Sequence, residues 1–198
     1  MVLTAKVYVD GGCRGNGTKT PIGAAAAWLI RRSGERKVYV SNLPKRDKDG
    51  YAPTNQRAEL IAIGNAFRLI DQQLREFSRI PRLDIEIFSD SRYAIGCMTE
   101  WACRRERNGW KHSDGTPVAN WQLIQRTLDL EDDFHDFAHG RYTWIPRSKN
   151  VIADRLCNQA TDEQEEVQRR NEESEWRETV RRRNQEAAKR EAAARRAR

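Results

Sequence analysis

The chain has 198 residues, with 36 Lys+Arg against 29 Asp+Glu and a formal net charge of +7, a length that suits one globular domain with some chain left over. Hydrophobic residues make up 38% and charged residues 33%, so a core can form, but the polar share points to a non-globular appendage. No stretch approaches eighteen consecutive apolar residues, which excludes a transmembrane helix.

Ala5, Val7 and Val9 alternate with Lys6 and Tyr8, the two-residue period of a strand, and Asp10-Gly11-Gly12 is expected to end it. A glycine-rich loop, an apolar stretch from Ile22 to Ile30, a Ser33-Gly34 turn and a strand from Lys37 to Leu43 complete an expected antiparallel meander. From Thr54, a plausible helix cap, the period changes: Ala58, Ile61, Ala62, Ala66, Leu69, Ile70 and Leu74 fall three or four apart, as on a buried helix face. Leu83 to Phe88 reads as a strand ending at Ser89-Asp90-Ser91. Helical patterns follow over Tyr93 to Trp101 and Val118 to Leu130, then a strand over Arg141 to Ile145 and a helix from about Asn150. The order βββαβααβα predicts an α/β fold, a mixed sheet flanked by helices.

The charge is unevenly placed. Residues 1–160 carry 25 basic and 19 acidic side chains, net +6, and residues 161–198 carry 11 and 10, net +1. Most of the positive charge therefore lies on the expected catalytic or binding domain, 1–160, where it can attract a polyanion. The tail, 161–198, lacks Gly and Pro and has no apolar stripe, so it is expected to be a charged helix or disordered. It is also polarised, with 3 basic and 8 acidic residues over 161–178 and 8 and 2 over 179–198. It reads either as a solvated helix or as an arm for nucleic acid or a protein partner. MVLTAKVYVD resembles neither a secretory signal nor a transit peptide. Cys13, Cys97, Cys103 and Cys157 have no CxxC pairing. An intracellular, monomeric protein with reduced thiols is expected, nuclear or cytoplasmic, and with no membrane partner.

Two expected strand ends carry aspartates, Asp10 and Asp90, and two helical segments carry Glu59 and Asp154, within DGGCRGNG, TNQRAEL, SDSRY and IPRSKNVIADRL. Each of these acids alone reads as a cap or a surface charge. Were the four to converge, any pair about 5 Å apart would repel by roughly 3 kcal/mol at an effective dielectric near 20, which cations would have to neutralise, and an oxygen-only donor set favours magnesium or manganese over zinc.

These motifs, in this order, resemble type 1 ribonuclease H from about Val2 to Ala160. The stretch SDSRYAIGCMTEWACRRERNGWKHSDGTPVANW is especially similar. The resemblance implies a ribonuclease H-like fold with a five-stranded mixed sheet. It implies Asp10, Glu59, Asp90 and Asp154 as catalytic residues and metal ligands for two Mg2+ ions, with Mn2+ able to substitute. The implied reaction is cleavage of the RNA strand of an RNA/DNA hybrid, leaving 5′-phosphate and 3′-hydroxyl ends. It further places Asn16, Asn55 and Gln56 in the minor groove near 2′-hydroxyls, Trp101 and Ser113 along the DNA strand, and Thr54 and Asn120 at a DNA phosphate. Arg104, Arg105, Arg107 and Lys111, around Trp110, match a basic protrusion that grips the hybrid backbone. Trp101 alone could equally be core packing.

The sequence departs from the family pattern in the loop before the last acid. Only Pro146 to Lys149 separate Ile145 from Asn150, so a loop histidine is missing, and His112, His135 and His139 lie outside the matching site. Arg147 or Lys149 could take a charge-handling role or form an ordinary basic turn. Ala52 stands where relatives carry a phosphate-binding arginine, and, with the first strand expected to start almost at Met1, no separate N-terminal hybrid-binding domain is expected. These departures leave a catalytically impaired hybrid-binding adaptor as the alternative, with another nuclease of the same superfold as a third possibility.

Overall fold

The computed structural model describes residues 2–76, 82–101, 107–134 and 138–196. The chain divides into two compact units, Met1–Thr161 and Asp162–Arg198. Five strands, β1 (Val2–Arg14), β2 (Ile22–Arg31), β3 (Arg36–Asn42), β4 (Arg82–Ser89) and β5 (Ala138–Trp144), form one sheet in the order β3-β2-β1-β4-β5. β1 is antiparallel to β2 and β2 to β3, whereas β1–β4 and β4–β5 are parallel. The helices are α1 (Asn55–Leu74), α2 (Arg92–Met98), α3 (Trp121–Asp132) and α4 (Val151–Arg196), with a 3-10 turn at Arg147–Lys149. The expected mixed sheet, flanked by helices in the order βββαβααβα, is the observed one.

The first strand is longer than its side-chain alternation predicts. Asp10-Gly11-Gly12 does not end it: Asp10 pairs with Ala26, Gly11 with Ala25, Gly12 with Ala24, and pairing continues to Arg14. Glycine removes side chains but keeps the backbone donors and acceptors, and the small residues of β2 let the ladder continue. Asp10 consequently sits inside a strand, with its backbone paired to β2.

The alanine run of β2 serves both faces of the sheet. Ala25 and Ala27 join the large core with Val7, Val9, Leu60, Ile63, Phe67, Ile85 and Ile87. Ala24 and Ala26 face the other way, against Cys157, Ala160 and Leu156 of the first turns of α4. This is the period-two pattern of a strand buried on both sides. α1 follows the predicted stripe, with Ala58, Ala62, Ala66, Leu69, Ile70 and Leu74 buried. Its first turn is capped by Thr54, whose hydroxyl accepts the Arg57 amide at 3.2 Å.

One contact fixes how closely α1 lies on the sheet. A Cβ on Gly11 would stand 2.1 Å from the Ala58 carbonyl carbon and 2.3 Å from the Glu59 nitrogen, so the helix backbone rests on the strand backbone. Only glycine permits this separation.

In the second unit the helix continues to Arg196, and the described side chains from 162 to 189 are exposed or half-exposed. Glu166–Arg170 and Glu173–Arg177 pair at i,i+4 spacing, the latter at 2.7 Å. Among the described residues, no helix is long and apolar enough to cross a membrane.

Gly11→Ala is expected to destabilise the protein by about 3 kcal/mol, as overpacking against an unyielding backbone does. Chemical denaturation measures this, and a loss under about 0.5 kcal/mol would show that α1 can move off β1 without cost.

Candidate metal centre and nucleic-acid face

Three elements bring carboxylates together. Asp10 projects from β1, Asp90 follows the end of β4, and Glu59 lies on the first turns of α1. The close seat of α1 at Gly11 sets Glu59 beside Asp10. One ligand oxygen from each of Asp10, Glu59 and Asp90 lies within 4.8 Å of the others. Asp10 is buried, at 4% exposure, and Glu59 Oε2 is buried with no hydrogen-bond partner.

Asp154, on the first turn of α4, stands outside this group of three. Its carboxylate accepts Arg147 from the 3-10 turn and Asn158 Nδ2 at 3.1 Å. It still reaches Asp10 electrostatically. Burial first, then Asp90 and Asp154, push the Asp10 carboxyl up to about 6, against Arg147 and the Gly11 backbone amide. Glu59 is pushed up to about 9 by burial and then by Asp10 and Asp90, again opposed by Gly11 and Arg147. Arg147, 70% exposed, thus supplies positive charge beside the acids from the 3-10 turn.

The residues fit a hard divalent cation. The donors are all carboxylate oxygens, two of them are raised by burial and then by neighbouring acids, and one buried oxygen has no partner within the protein. A cation among Asp10, Glu59 and Asp90 would answer all three features.

Asn150 ties the cluster together. It is buried at 1% exposure, and its Nδ2 donates to the Val9 carbonyl at 2.8 Å and to Asp90 Oδ1 at 2.9 Å. Its carbonyl accepts the Asp154 amide at 3.0 Å. One residue therefore links the residue before Asp10 and the Asp90 carboxylate through its side chain, and the entry to α4 through its backbone carbonyl. The Trp144 indole, stacked under Arg92 at 3.9 Å, donates to the Asp90 carbonyl at 3.0 Å. The motif IPRSKNVIADRL contains Asn150, but nothing in its spacing discloses the bond to Asp90.

Cys157 lies beside the acids. Its Sγ is 3.4 Å from the Cβ position of Gly12 and 3.3 Å from the Ala24 carbonyl. Burial and then Asp10 push its thiol up to about 12.

The remaining expected contact residues are placed unevenly. Asn55 Oδ1 accepts the Cys13 amide at 2.7 Å, which anchors the start of α1 to the end of β1, and Gln56 beside it is exposed. Asn16 is exposed in the β1–β2 turn, and Ser113 and Lys111 are exposed beyond Trp110. Trp110 itself is buried, with its indole donating to Gln125 at 3.0 Å. Trp101 combines both readings: it is 39% exposed, yet its ring would meet a Gly96 Cβ at 3.0 Å and lies edge-on to Tyr93. Arg104, Arg105 and His135 lie outside the described residues.

Asn120, in the left-handed conformation at φ 60°, donates to Tyr93 Oη at 3.0 Å and accepts Arg57 Nη1 at 2.9 Å. Arg57 is buried, pairs with Asp47 and packs over Tyr51 at 4.8 Å. It stands in TNQRAEL without a sequence-predicted role, and it organises the Asn120 region where Ala52 supplies no cation.

A mixed five-stranded sheet with helices on both faces, and carboxylates gathered from two neighbouring strands and the helix packed on them, defines the ribonuclease H-like class of metal-dependent nucleases. The family model for RNase H matches residues 4–162. The chain is 31% identical over 159 residues to ribonuclease H of Hahella chejuensis, covering 78% of this chain and 91% of the relative. It is 32% identical over 160 residues to that of Ruthia magnifica subsp. Calyptogena magnifica, covering 79% and 94%. The chain belongs to the RNase H family and is a ribonuclease H enzyme. Its fold is shared with LC9-RNase H1, described as a type 1 RNase H with the type 2 active-site motif, at TM-score 0.63 and 24% identity over 81% of this chain and 72% of that one. LC11-RNase H1, solved in complex with RNA/DNA hybrid, matches at TM-score 0.54 and 20% identity over 80% and 97%.

The raised carboxyls give stability a definite pH dependence. What Asp10 and Glu59 contribute is complete below about pH 4, their ordinary range, and is lost as pH rises through about 6 and about 9. Metal-free protein is expected to melt at progressively lower temperature from pH 5 to pH 9 at constant ionic strength. A saturating hard divalent cation should raise the melting temperature more at pH 8 than at pH 5, and Glu59→Gln should weaken both trends. Scanning calorimetry checks this, and a flat metal-free profile would contradict it.

Proposed function

We propose that this ribonuclease H hydrolyses the RNA strand of RNA/DNA hybrids, using Asp10, Glu59 and Asp90 with Asp154 completing the acidic set. The observation that carries the reading is the meeting of three carboxylate oxygens within 4.8 Å. The buried, unpartnered Glu59 Oε2 supports it. On this reading magnesium is the physiological cation and manganese can replace it. Two such ions, when bound, would supply charge neutralisation and a more acidic attacking water at the scissile phosphate.

The protein's own groups do the positioning. Gly11 and the α1 backbone hold Glu59 against Asp10, and Asn150 orients the Asp90 carboxylate. Arg147 balances part of the acidic charge from solvent. Breaking the P–O3′ bond leaves a 5′-phosphate and a 3′-hydroxyl. LC11-RNase H1, a chain of the same fold, is known with a hybrid bound, which supports the substrate.

Asn16, Asn55 and Gln56 are assigned to the minor groove, where 2′-hydroxyls distinguish RNA from DNA. Trp101 and Ser113 are assigned to the DNA strand, Thr54 and Asn120 to a DNA phosphate, and Lys111, with Arg104 and Arg105, to the hybrid backbone. The gathered acids weigh against the adaptor alternative, because a protein that only binds hybrid gains nothing from mutually repelling carboxylates.

Asp10→Asn is expected to lower cleavage of an end-labelled hybrid by on the order of 100-fold, about 3 kcal/mol, while hybrid binding in a chelator persists or strengthens. Wild-type rates after Asp10→Asn would overturn the assignment, and so would hybrid bound tightly yet left uncut with magnesium and with manganese. Asn150→Ala should cut kcat about tenfold, equivalent to about 1.4 kcal/mol, with KM nearly unchanged. A KM effect alone would place Asn150 in substrate binding instead.

A further inference from the structure

The second unit carries a charge pattern that the cleavage reading does not use. Along 162–178 the helix has 3 basic and 8 acidic residues, and two of the three arginines, Arg170 and Arg177, are drawn into i,i+4 pairs with Glu166 and Glu173. Over 179–198 there are 8 basic residues and only Glu186 and Glu191 to oppose them. The stretch cannot neutralise itself. Arg181, Arg182, Arg183 and Lys189 are all exposed.

Helical geometry distributes these cations in a useful way. Arg182 and Lys189 are seven residues apart, so they share a face at a spacing of about 10.5 Å along the axis, with Glu186 between them. Arg181 and Arg183 stand about 100° to either side of it. A rod with cations on one face and on both flanks matches a groove with a phosphate ridge on each side. Ala187 and Ala188 add little bulk and favour the helix. Because the helix is already formed to Arg196, docking it has a small ordering cost.

Shape selects the polyanion. An α-helix with side chains is about 10–12 Å across, and the major groove of B-form DNA, about 12 Å wide, admits one. The deep, narrow major groove of A-form duplexes does not. We propose that the basic end of α4, from Arg181 onward, docks in the major groove of B-form duplex DNA. It would thereby hold the enzyme on DNA that carries or flanks its substrate. The inference is independent of the carboxylate cluster and fails or stands separately from it.

The test compares the full chain with a full-length Arg181→Gln, Arg182→Gln, Arg183→Gln, Lys189→Gln variant by fluorescence anisotropy in a chelator. The probes are a labelled 30-base-pair duplex DNA without ribonucleotides and a duplex RNA of the same length. The unsubstituted chain is expected to bind the DNA at least tenfold more tightly at 150 mM KCl. Its log–log salt slope should be steeper by about 3 to 4, one released counterion for each cation removed. On duplex RNA the two proteins should differ by less than about threefold. An Arg181→Lys, Arg182→Lys, Arg183→Lys chain should retain DNA binding. Equal DNA binding by the wild type and the Gln variant would overturn the proposal, as would loss of binding in the Lys variant. Equal losses on DNA and RNA would overturn it too, showing adhesion to any polyanion. Salt-sensitive self-association that the Gln substitutions abolish, read by light scattering, would instead assign the basic end to a second copy of the chain.

Discussion

The contact between two backbones at Gly11 governs the catalytic end of this protein. Strands and helices ordinarily meet through side chains, which hold their axes about 10 Å apart. Here the absence of a Cβ lets the Ala58–Glu59 peptide rest on β1 itself. That seat brings a carboxylate from a helix to one in the middle of a strand, and parallel pairing of β1 with β4 supplies a third from the neighbouring strand end. The acidic residues provide the carboxylates, but their separation is set by a residue with no side chain.

Such closeness is unfavourable when no cation is present. Burial and repulsion together hold Asp10 and Glu59 well above their ordinary titration ranges, so part of the folding energy goes into keeping the centre assembled. Three groups limit the cost: the Gly11 amide, Arg147 in the short turn, and Asn150, whose amide holds Asp90 and a β1 carbonyl at once. Asn150 differs from Arg147 in kind. It fixes a direction, whereas Arg147, largely exposed, adjusts the local potential.

Much of this was legible in the sequence, for identifiable reasons. The order of elements followed from periodicity, because the alternating β1 residues and the α1 stripe each face one core. The three clustered acids were legible because the motifs around them, taken together and in order, resemble a known family; none of the three stands out alone. The end of β1 was not: glycines read as a stop, but what decides is the pairing available on β2, which no local pattern records. Asp154 was placed correctly on α4, yet its pairing with Arg147 and its separation from the group of three depend on the geometry of a turn. Asn150 and Arg57 were quoted within motifs and given no role. A buried amide or guanidinium acquires meaning only from partners 60 or more residues away, as Asn150 does with Asp90 and Arg57 with Asn120.

The setting of Cys157 has a consequence for how the enzyme experiences oxidants. Sulfur becomes reactive through its thiolate, and here burial and the adjoining acids keep the proton in place up to about 12. Cys157, 2% exposed and with its proton held, is therefore a poor target for peroxides and alkylating agents although it lies next to the acidic centre. Burial first, and then the same carboxylates that need a cation to coexist, passivate the thiol beside them.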